Sequence, residues 1–218
     1  MDVKLISKTQ AASGFFGKET LSPEEMIVAV ARVSSGKPPE ERTENAERLL
    51  KYCIKHGHWS IFETVSFTLY FKVPLFVATQ ILRHRSFTFQ QFSQRYQTAE
   101  DMCPDAIELR RAGGSNRQGS GELIKDPAII NHNNYFIAAA FQHYHLLLEQ
   151  GVSAETARQV LPQCTYTEIF MTGSARSWIH YFQTRLEEHT QKEHRQAAAL
   201  AFEILKKEMP VIFGLIFG

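Results

Sequence analysis

Residues 65–85 read VSFTLYFKVPLFVATQILRHR, and the pattern of apolar residues changes halfway along this segment. From Val65 to Val73 every second residue is apolar, which is typical of a β-strand with one buried face. Pro74 then opens a segment with apolar residues at helical spacing, namely Leu75, Ala78 and Leu82. We therefore predict a strand over 65–73 followed directly by a helix over 74–85, an arrangement that indicates a mixed α+β domain.

Helix signals dominate the remaining sequence. Ser22-Pro23-Glu24-Glu25 combines an N-cap serine, a proline at the first helical position and a glutamate at the third, and so predicts a helix start. Further helices are predicted over about 43–56, 127–150, 153–161, 174–188 and 190–208. VKLIS near the amino terminus predicts a short strand, whereas CTYTEIFMTGS (164–174) fits either a strand or a helix. The composition of GGSNRQGSG (113–121) predicts a mobile loop. Together these patterns predict one helix-rich α+β domain over residues 1–218 with a small, largely antiparallel sheet.

The net charge and the cysteine content argue against an overall basic binding protein and against a disulfide-bonded one. The formal net charge is +1, so no overall basic field would attract nucleic acid or a membrane surface. The three cysteines, Cys53, Cys103 and Cys164, are widely spaced and form no CxxC pair, which favours a reduced, cytoplasmic protein. We find no signal-peptide pattern and no apolar run long enough to cross a bilayer. The apolar segment VIFGLIFG (211–218) is expected to pack on the fold or on a partner subunit.

RHRSFTFQQFSQRY (83–96) concentrates cationic and aromatic side chains in a nearly neutral chain. Each residue turns about 100° on a helix, so on the helix predicted over 74–85 Gln80, Arg83 and His84 share the face opposite the core stripe. Cations at a helix end also complement the helix dipole, so the cluster alone does not require a ligand. Arginine nevertheless suits phosphate and carbonyl oxygens better than lysine does, and burial of an unpaired arginine is costly. The segment therefore predicts an anion-binding surface that lines a cavity or an interface.

A second cationic pattern lies in SARSWIHYFQTRLEE (174–188). The predicted core stripe of this helix consists of Ala175, Trp178, Ile179, Phe182 and Leu186. Arg176 and His180 are four residues apart and share another face, whereas Arg185 lies about 140° round the helix from His180. The helix would therefore contact two parts of one large ligand or face two sites. Sites shared between subunits would satisfy the same geometry.

Other chemistries have weaker support in the sequence. His56/His58 and His143/His145 are each two residues apart, which places neither pair on one helix face. There is no HExxH, no GxGxxG or P-loop, and no GxSxG, so we expect no metal site and no hydrolase nucleophile.

One stretch resembles the RHRx7S signature of the flavin-dependent thymidylate synthases. It consists of Arg83-His84-Arg85, seven further residues and Ser93, and it is followed by Arg95-Tyr96. Four further stretches resemble that family in the same order along the chain: ARVS (31–34), HWSIFE (58–63), ARQVLP (157–162) and TQKEH (190–194). The resemblance covers about residues 30–195. It implies reductive methylation of dUMP to dTMP, with methylenetetrahydrofolate as carbon donor and FAD, reduced by NADPH, as hydride carrier. It also implies a homotetramer with active sites shared between subunits, and no nucleic-acid or membrane partner.

The resemblance assigns roles by position. The implied dUMP contacts are Gln80, Arg83, Gln91, Ser93, Arg95, Arg158 and Arg185. Among them Arg185 is implied to be catalytic, at the uracil ring, where a cation favours the ionised pyrimidine. The implied FAD contacts are His58, Ser60, Glu63, Arg83, His84, Arg85, Gln91, Ser174, Arg176 and His180.

The chain departs from the family pattern at a few positions. Gln90-Gln91 stands where most members have Asn-Glu, and Thr88 and Ser174 stand where Ser and Asn are commoner. Gln91 keeps the shape of the glutamate but lacks its charge and its proton-accepting capacity. Impaired activity is therefore one expectation, and a natural variant with a compensating group is the other.

Two hypotheses of other classes compete with the enzyme. A single-stranded nucleic-acid binder could use the arginines and aromatic rings of 83–96, but the near-neutral net charge argues against it. A purely structural protein with solvated or paired arginines leaves Gln80, Arg83 and His84 on an apolar-flanked helix without explanation.

Overall fold

The computed structural model describes residues 1–12, 14–104, 107–113 and 119–218. The strands are β1 (Asp2–Lys8), β2 (Ser66–Pro74), β3 (Thr88–Gln91), β4 (Arg110–Ala112), β5 (Ser120–Leu123) and β6 (Tyr166–Ser174). The α-helices are α1 (Pro23–Ala31), α2 (Ala46–Lys55), α3 (Leu75–Ile81), α4 (Pro127–Glu149), α5 (Ala154–Ala157), α6 (Ala175–Arg185), α7 (Lys192–Glu208) and α8 (Pro210–Phe217). Short 3₁₀ turns cover Pro39–Glu41, Trp59–Glu63, Glu100–Met102 and Arg158–Val160. The predicted helix-rich α+β class is confirmed.

The main sheet has the strand order β1-β2-β6-β3, and each neighbouring pair is antiparallel. The predicted strand 65–73 corresponds to β2, whose alternate residues Phe67, Leu69, Phe71 and Val73 are buried. The segment whose periodicity was ambiguous is β6, which pairs with β2 over its whole length. In the described residues β4 and β5 form a separate antiparallel hairpin.

Helix α6 packs across the buried face of the sheet and contributes Trp178, Tyr181 and Phe182 to the buried core. The Trp178 ring stacks on the Phe71 ring with centroids 6.3 Å apart, and its Nε1–H donates to the Phe67 carbonyl oxygen at 3.3 Å. Trp178, Ile179 and Phe182 are buried as the core stripe predicted, and Leu186 is partly buried against the same cluster. Fully burying side chains of this size stabilises a fold by about 1.5–3 kcal/mol each. The core therefore fixes which faces of α6 remain free for polar chemistry.

Helix α1 contacts the C-terminal helix α8. The predicted capping box is present, since Ser22 Oγ accepts from Glu25 N–H and the Glu25 carboxylate accepts from Ser22 N–H. In the next position Glu24 is buried, and its carboxylate accepts from the Ile212 N–H at 2.6 Å. Ile212 and Phe213 of α8 are themselves buried, so the C-terminal apolar segment packs on the fold.

The helix predicted over 74–85 is shorter than expected. It ends at Ile81, and the buried residues are Val77, Ala78 and Ile81 rather than Leu75, Ala78 and Leu82. The following residues form tight turns, in which Arg83 N–H donates to Gln80 O and His84 N–H to Ile81 O. The assumption that Gln80, Arg83 and His84 share one helix face is therefore wrong.

Packing of Phe87 explains why the helix stops early. The Phe87 ring is buried at 4.8 Å from the Trp178 ring, and it covers Gly173 so closely that no side chain would fit there. Ser177 Oγ also donates to the Ser86 carbonyl oxygen at 3.2 Å. These contacts return the chain to the sheet, where residues 88–91 form the edge strand β3.

Part of the predicted mobile loop, residues 114–118, lies outside the described residues. At its borders Gly113 N–H donates to the Gly119 carbonyl oxygen at 3.1 Å, and Ser120 pairs with Ala112. Across the described ranges, we find no helix that combines the length and the apolar character needed to span a membrane.

Candidate active site

The residues implied by the family resemblance fall into three groups within one chain. The β3 cluster comprises Gln91, Ser93, Arg95 and Arg158. The His84 cluster comprises Gln80, His84 and Arg185. The Glu63 cluster comprises His58, Ser60, Glu63, Ser174, Arg176 and His180. Arg83 and Arg85 lie exposed in the turn that joins α3 to β3.

In the β3 cluster, side chains from separate parts of the sequence line one cavity of about 320 Å³. Gln91 ends β3, Ser93 follows it, and Arg158 comes from the 3₁₀ turn after α5. Gln91 Nε2 donates to Thr167 Oγ of the neighbouring strand at 3.3 Å, and the Arg158 Nε–H donates to the Glu155 carbonyl oxygen at 3.2 Å. A hydroxyl, a carboxamide and a guanidinium thus converge on a space suited to an oxyanion.

Arg95 lies beside this cavity without lining it. Its Nη2 is 3.3 Å from Glu155 Oε2, and its guanidinium is 5.9 Å from the centre of the Tyr96 ring. Both charged side chains of the Arg95–Glu155 pair are about half exposed, and such pairs contribute at most about 1 kcal/mol. An anionic ligand could therefore draw Arg95 away from Glu155 at low cost.

In the His84 cluster, Arg185 Nε–H donates to His84 Nε2 at 2.8 Å. Because Nε2 accepts this bond, His84 is neutral and carries its proton on Nδ1. Burial, followed by the nearby charge of Arg185, lowers the pKa of His84 to about 4. The His84 ring packs edge-on against the Tyr181 ring at 4.9 Å, so the histidine holds the guanidinium on a rigid support.

Gln80 is connected to the same cluster through the side chains of His194 and Tyr181, to which the sequence patterns assigned no site role. Its Oε1 lies 3.1 Å from His194 Nδ1, and its Nε2 donates to Gln191 Oε1 at 2.6 Å. His194 Nε2 in turn lies 3.1 Å from the Tyr181 hydroxyl. Both Tyr181 and His194 are fully buried.

The Glu63 cluster is organised around one carboxylate. Glu63 Oε1 lies 3.1 Å from Arg176 Nη1, and Glu63 Oε2 accepts from Ser174 Oγ at 2.5 Å. Ser174 is the N-cap of α6, since its Oγ accepts from the Ser177 N–H. Glu63 therefore ties the turn after α2 to the start of α6 and orients Arg176.

Two adjoining cavities open at the Glu63 cluster. The first has a volume of about 450 Å³, and its lining includes Trp59, Glu63, Ser86, Arg176 and His180. The second has a volume of about 570 Å³, and its lining includes Tyr52, His58, Trp59, Ser60 and Arg176. Trp59 and Arg176 line both cavities, so the two cavities are adjacent. Aromatic walls beside a cation suit a planar ring system that carries phosphate.

Several cations of the site lack an acidic partner. Among the described residues, no carboxylate lies within 4.0 Å of the charged groups of Arg83, Arg85, Arg158 or Arg185. Arginine remains charged in proteins, so these side chains present positive charge that the described chain does not neutralise. The same described ranges hold no group of three potential metal ligands.

Within the described residues of one chain, the cavity of the β3 cluster shares no lining residue with the two cavities of the Glu63 cluster. The cavity of the β3 cluster is lined by no residue of the other two clusters, and Arg185 lines neither cavity of the Glu63 cluster. On α6, Arg176 and His180 line a cavity of the Glu63 cluster, whereas Arg185 bonds His84. That this helix contacts two parts of one ligand or faces two sites stays a prediction.

Comparisons of the sequence and of the fold with known proteins point to one family. Residues 18–211 match the family model described as thymidylate synthase complementing protein. A protein of Synechocystis sp. named flavin-dependent thymidylate synthase is 44% identical over 216 residues, covering 97% of each chain. A probable flavin-dependent thymidylate synthase of Paramecium bursaria Chlorella virus 1 is 40% identical over 217 residues, again covering 97% of each chain. A crystal structure of a UMP/dUMP methylase from Streptomyces cacaoi, bound with 5-Br dUMP, superposes with a TM-score of 0.80 at 26% identity and covers 98% of this chain and 93% of its own.

Proposed function

Because this chain belongs to the thymidylate synthase complementing protein family, we propose that it converts dUMP to dTMP as a flavin-dependent thymidylate synthase. It is a methyltransferase whose substrate is dUMP, as the structural neighbour and the family relatives indicate. In the finer proposal, methylenetetrahydrofolate supplies the carbon and NADPH supplies the reducing equivalents. The assignment of individual residues is part of the proposal.

The observation that carries the residue assignment is the convergence of Gln91, Ser93 and Arg158 on one cavity. The phosphate of dUMP is a dianion with several acceptor oxygens, and a hydroxyl together with an arginine fork meets both its charge and its geometry. Arg95, released from its weak pair with Glu155, would add a second guanidinium. We assign this cavity to the nucleotide phosphate and the adjoining sugar.

Arg185 is assigned to the uracil ring. Its charge has no carboxylate partner among the described residues, and its Nε is already held by His84, so its terminal amino groups remain for the ligand. A guanidinium beside the ring favours the ionised pyrimidine N3 and thereby raises electron density at the carbon to be methylated. His84 keeps the guanidinium in place as a neutral acceptor.

The two adjacent cavities of the Glu63 cluster fit FAD by their donor set. Trp59 and Tyr52 offer flat apolar surface, while His58, Ser60 and Arg176 offer donors to phosphate or ring oxygens. When bound, FAD reduced by NADPH would supply the hydride for the reaction. The residues of the chain would bind and orient the ring, and Arg176, held by Glu63 at 3.1 Å, would stand beside it.

We further propose that the active enzyme is a homotetramer with shared sites. The β3 cluster and the Glu63 cluster serve one reaction in this proposal yet open onto separate cavities in one chain. Helix α4 supports assembly, since its large apolar residues Ile129, Tyr135, Phe136 and Leu146 are exposed. A second copy of the chain would cover such surface and could bring the clusters together.

The decisive test measures dTMP formation from dUMP in the presence of FAD, NADPH and methylenetetrahydrofolate, with each component omitted in turn. We expect dTMP only in the complete mixture, a flavin absorbance spectrum for the purified protein, and a tetramer mass by light scattering. Failure to take up supplied FAD would overturn the enzyme assignment. Salt-sensitive binding of single-stranded DNA by such a flavin-free protein would favour the nucleic-acid alternative instead. A dimeric but active protein would refute only the tetramer.

A further inference from the structure

His194 is a buried histidine to which neither the family resemblance nor the proposed function assigns a role. It lies on α7 with no exposed surface, and both of its ring nitrogens face polar side chains. Nδ1 is 3.1 Å from Gln80 Oε1, and Nε2 is 3.1 Å from the Tyr181 hydroxyl. Gln80 is an implied dUMP contact, so the histidine lies directly behind a residue of the proposed site.

The chemistry of these partners fixes the proton on the ring. Gln80 Oε1 is a carbonyl oxygen and can only accept, so His194 Nδ1 carries the hydrogen and donates it. His194 Nε2 is then an acceptor, and the Tyr181 hydroxyl donates to it. Burial, with a smaller contribution from the charge of Arg185, lowers the pKa of His194 to about 3, which keeps the ring neutral.

The remaining side of the Gln80 carboxamide continues the same direction of donation. Gln80 Nε2 donates to Gln191 Oε1 at 2.6 Å, and Gln191 Nε2 donates to Glu193 Oε2 at 3.0 Å. The carboxylate of Glu193 also pairs with Arg110 of the β4–β5 hairpin. Each donor from Tyr181 onwards therefore points towards the Glu193 carboxylate. A flipped Gln80 amide would face the His194 N–H with its own N–H₂ group and lose both hydrogen bonds.

We propose that His194 is a positioning residue for dUMP binding, which with Tyr181 locks the Gln80 carboxamide in a single orientation. In that orientation Oε1 is occupied and one hydrogen of Nε2 is bonded to Gln191, which leaves the second hydrogen of Nε2 for an oxygen acceptor of the nucleotide. The inference rests on the proposed function for the identity of the ligand. The lock itself rests only on the contacts within the chain.

Two substitutions at residue 194 separate this role from simple core filling. His194→Leu fills similar space but removes both hydrogen bonds, whereas His194→Asn places an amide N–H at the same number of bonds from Cα as histidine Nδ1 and so keeps the donor to Gln80. Leu205→Ala is the matched control for stability, since Leu205 is a fully buried residue of the same helix that forms part of the apolar core.

The first measurement needs no nucleotide. Nitrogen NMR spectra of the ¹⁵N-histidine-labelled full-length protein, with the His194 signal assigned by its loss in His194→Asn, report which ring nitrogen carries the proton. We expect the Nδ1–H form in the wild type. The Nε2–H form would overturn the proposal, because His194 could then not donate to Gln80.

The second measurement is the dissociation constant of dUMP for the flavin-loaded protein. We expect His194→Leu to weaken binding by about three- to tenfold, as the loss of one well-oriented hydrogen bond predicts. His194→Asn should remain closer to the wild type, and Leu205→Ala should bind as the wild type does while unfolding at a lower temperature. Equal dUMP affinities for His194→Leu and the wild type would refute the positioning role. A wild-type protein that binds no dUMP would refute the proposed function, and the tautomer would still decide whether Gln80 is locked.

Discussion

Replacement of Arg185 tests most directly whether the positive charge of this residue acts on the uracil ring. Arg185 Nε–H donates to His84 Nε2 at 2.8 Å, and among the described residues the guanidinium has no acidic partner. Its charge is therefore available to a ligand rather than used in the fold. In Arg185→Ala the uracil would lose a charged donor, and the pKa of His84 would rise because Arg185 helps to keep it low.

The size of the effect follows from the kind of bond that is lost. A hydrogen bond to a charged group contributes about 1.5–3 kcal/mol, which corresponds to about a 10- to 150-fold change in kcat/KM. Arg185→Lys keeps the charge but has a single nitrogen, so it cannot bond His84 and point a planar fork at the ring at the same time. We therefore expect Arg185→Lys to lose about tenfold, between the wild type and the alanine variant.

The assay is dTMP formation at saturating FAD, NADPH and methylenetetrahydrofolate, with dUMP varied. Arg42→Ala is the control, since Arg42 is a partly buried arginine whose Nε–H bonds the Lys37 carbonyl oxygen outside the three clusters. We expect Arg42→Ala to keep the wild-type kcat/KM. Equal kcat/KM for Arg185→Ala and Arg42→Ala would show that the Arg185 charge does not act on the substrate, and would refute the assignment.

Three further predictions concern catalysis, stability and pH. Gln91→Glu restores a carboxylate at the end of β3 and is expected to raise dUMP-dependent dTMP formation or flavin oxidation; unchanged rates for both would contradict the idea that the amide limits turnover. Glu24→Ala leaves the buried Ile212 N–H without its acceptor and should lower the free energy of unfolding by about 1–3 kcal/mol in urea titrations, while Glu24→Gln, which keeps an acceptor, should lose less. Folding lowers the pKa of His84 from 6.5 to about 4 and that of His194 from 6.5 to about 3, chiefly through burial. The unfolded chain therefore binds protons that the folded chain refuses, and the free energy of unfolding should fall as the pH decreases from about 6.5 towards 4; a stability independent of pH across this range would contradict the neutral, buried state of both rings.

The sequence predicts β2 well because burial of one face of the strand determines its residue pattern. Alternate residues of β2 meet the core, so the period of two is complete. Burial alternates along β6 as well, but the aromatic residues Tyr166 and Phe170 occupy outward positions and the polar Thr167 is buried. The polarity of the sequence therefore hides the strand, which is defined by its pairing with β2 along its whole length. Edge strand β3 has a four-residue span and depends on the insertion of Phe87 at Gly173, a contact between distant parts of the sequence.

The candidate site shows the same division between local and distant causes. The resemblance brought Gln91, Ser93 and Arg158 together by position, and the fold places them around one cavity. It gave no reason to connect Gln80 with His194, although a signal was present. His194, Ala197, Ala198, Ala201 and Leu205 repeat at helical spacing and are all buried, which marks the histidine as a core residue in need of polar partners.

The bond between Glu24 and Ile212 has a consequence for biosynthesis. The two residues are 188 positions apart, and helix α8 packs against α2 in the same region. During synthesis, Glu24 and the core-facing side of α2 can contact Ile212 and α8 only after nearly the whole protein has left the ribosome. Until then the Glu24 carboxylate and the apolar face of α2, which are buried in the finished fold, stay exposed to water and to chaperones. A ribosome-bound fragment that stops before residue 210 should therefore remain sensitive to proteases at α1 and α2, and the release of residues 210–217 should close that region in the last step of folding.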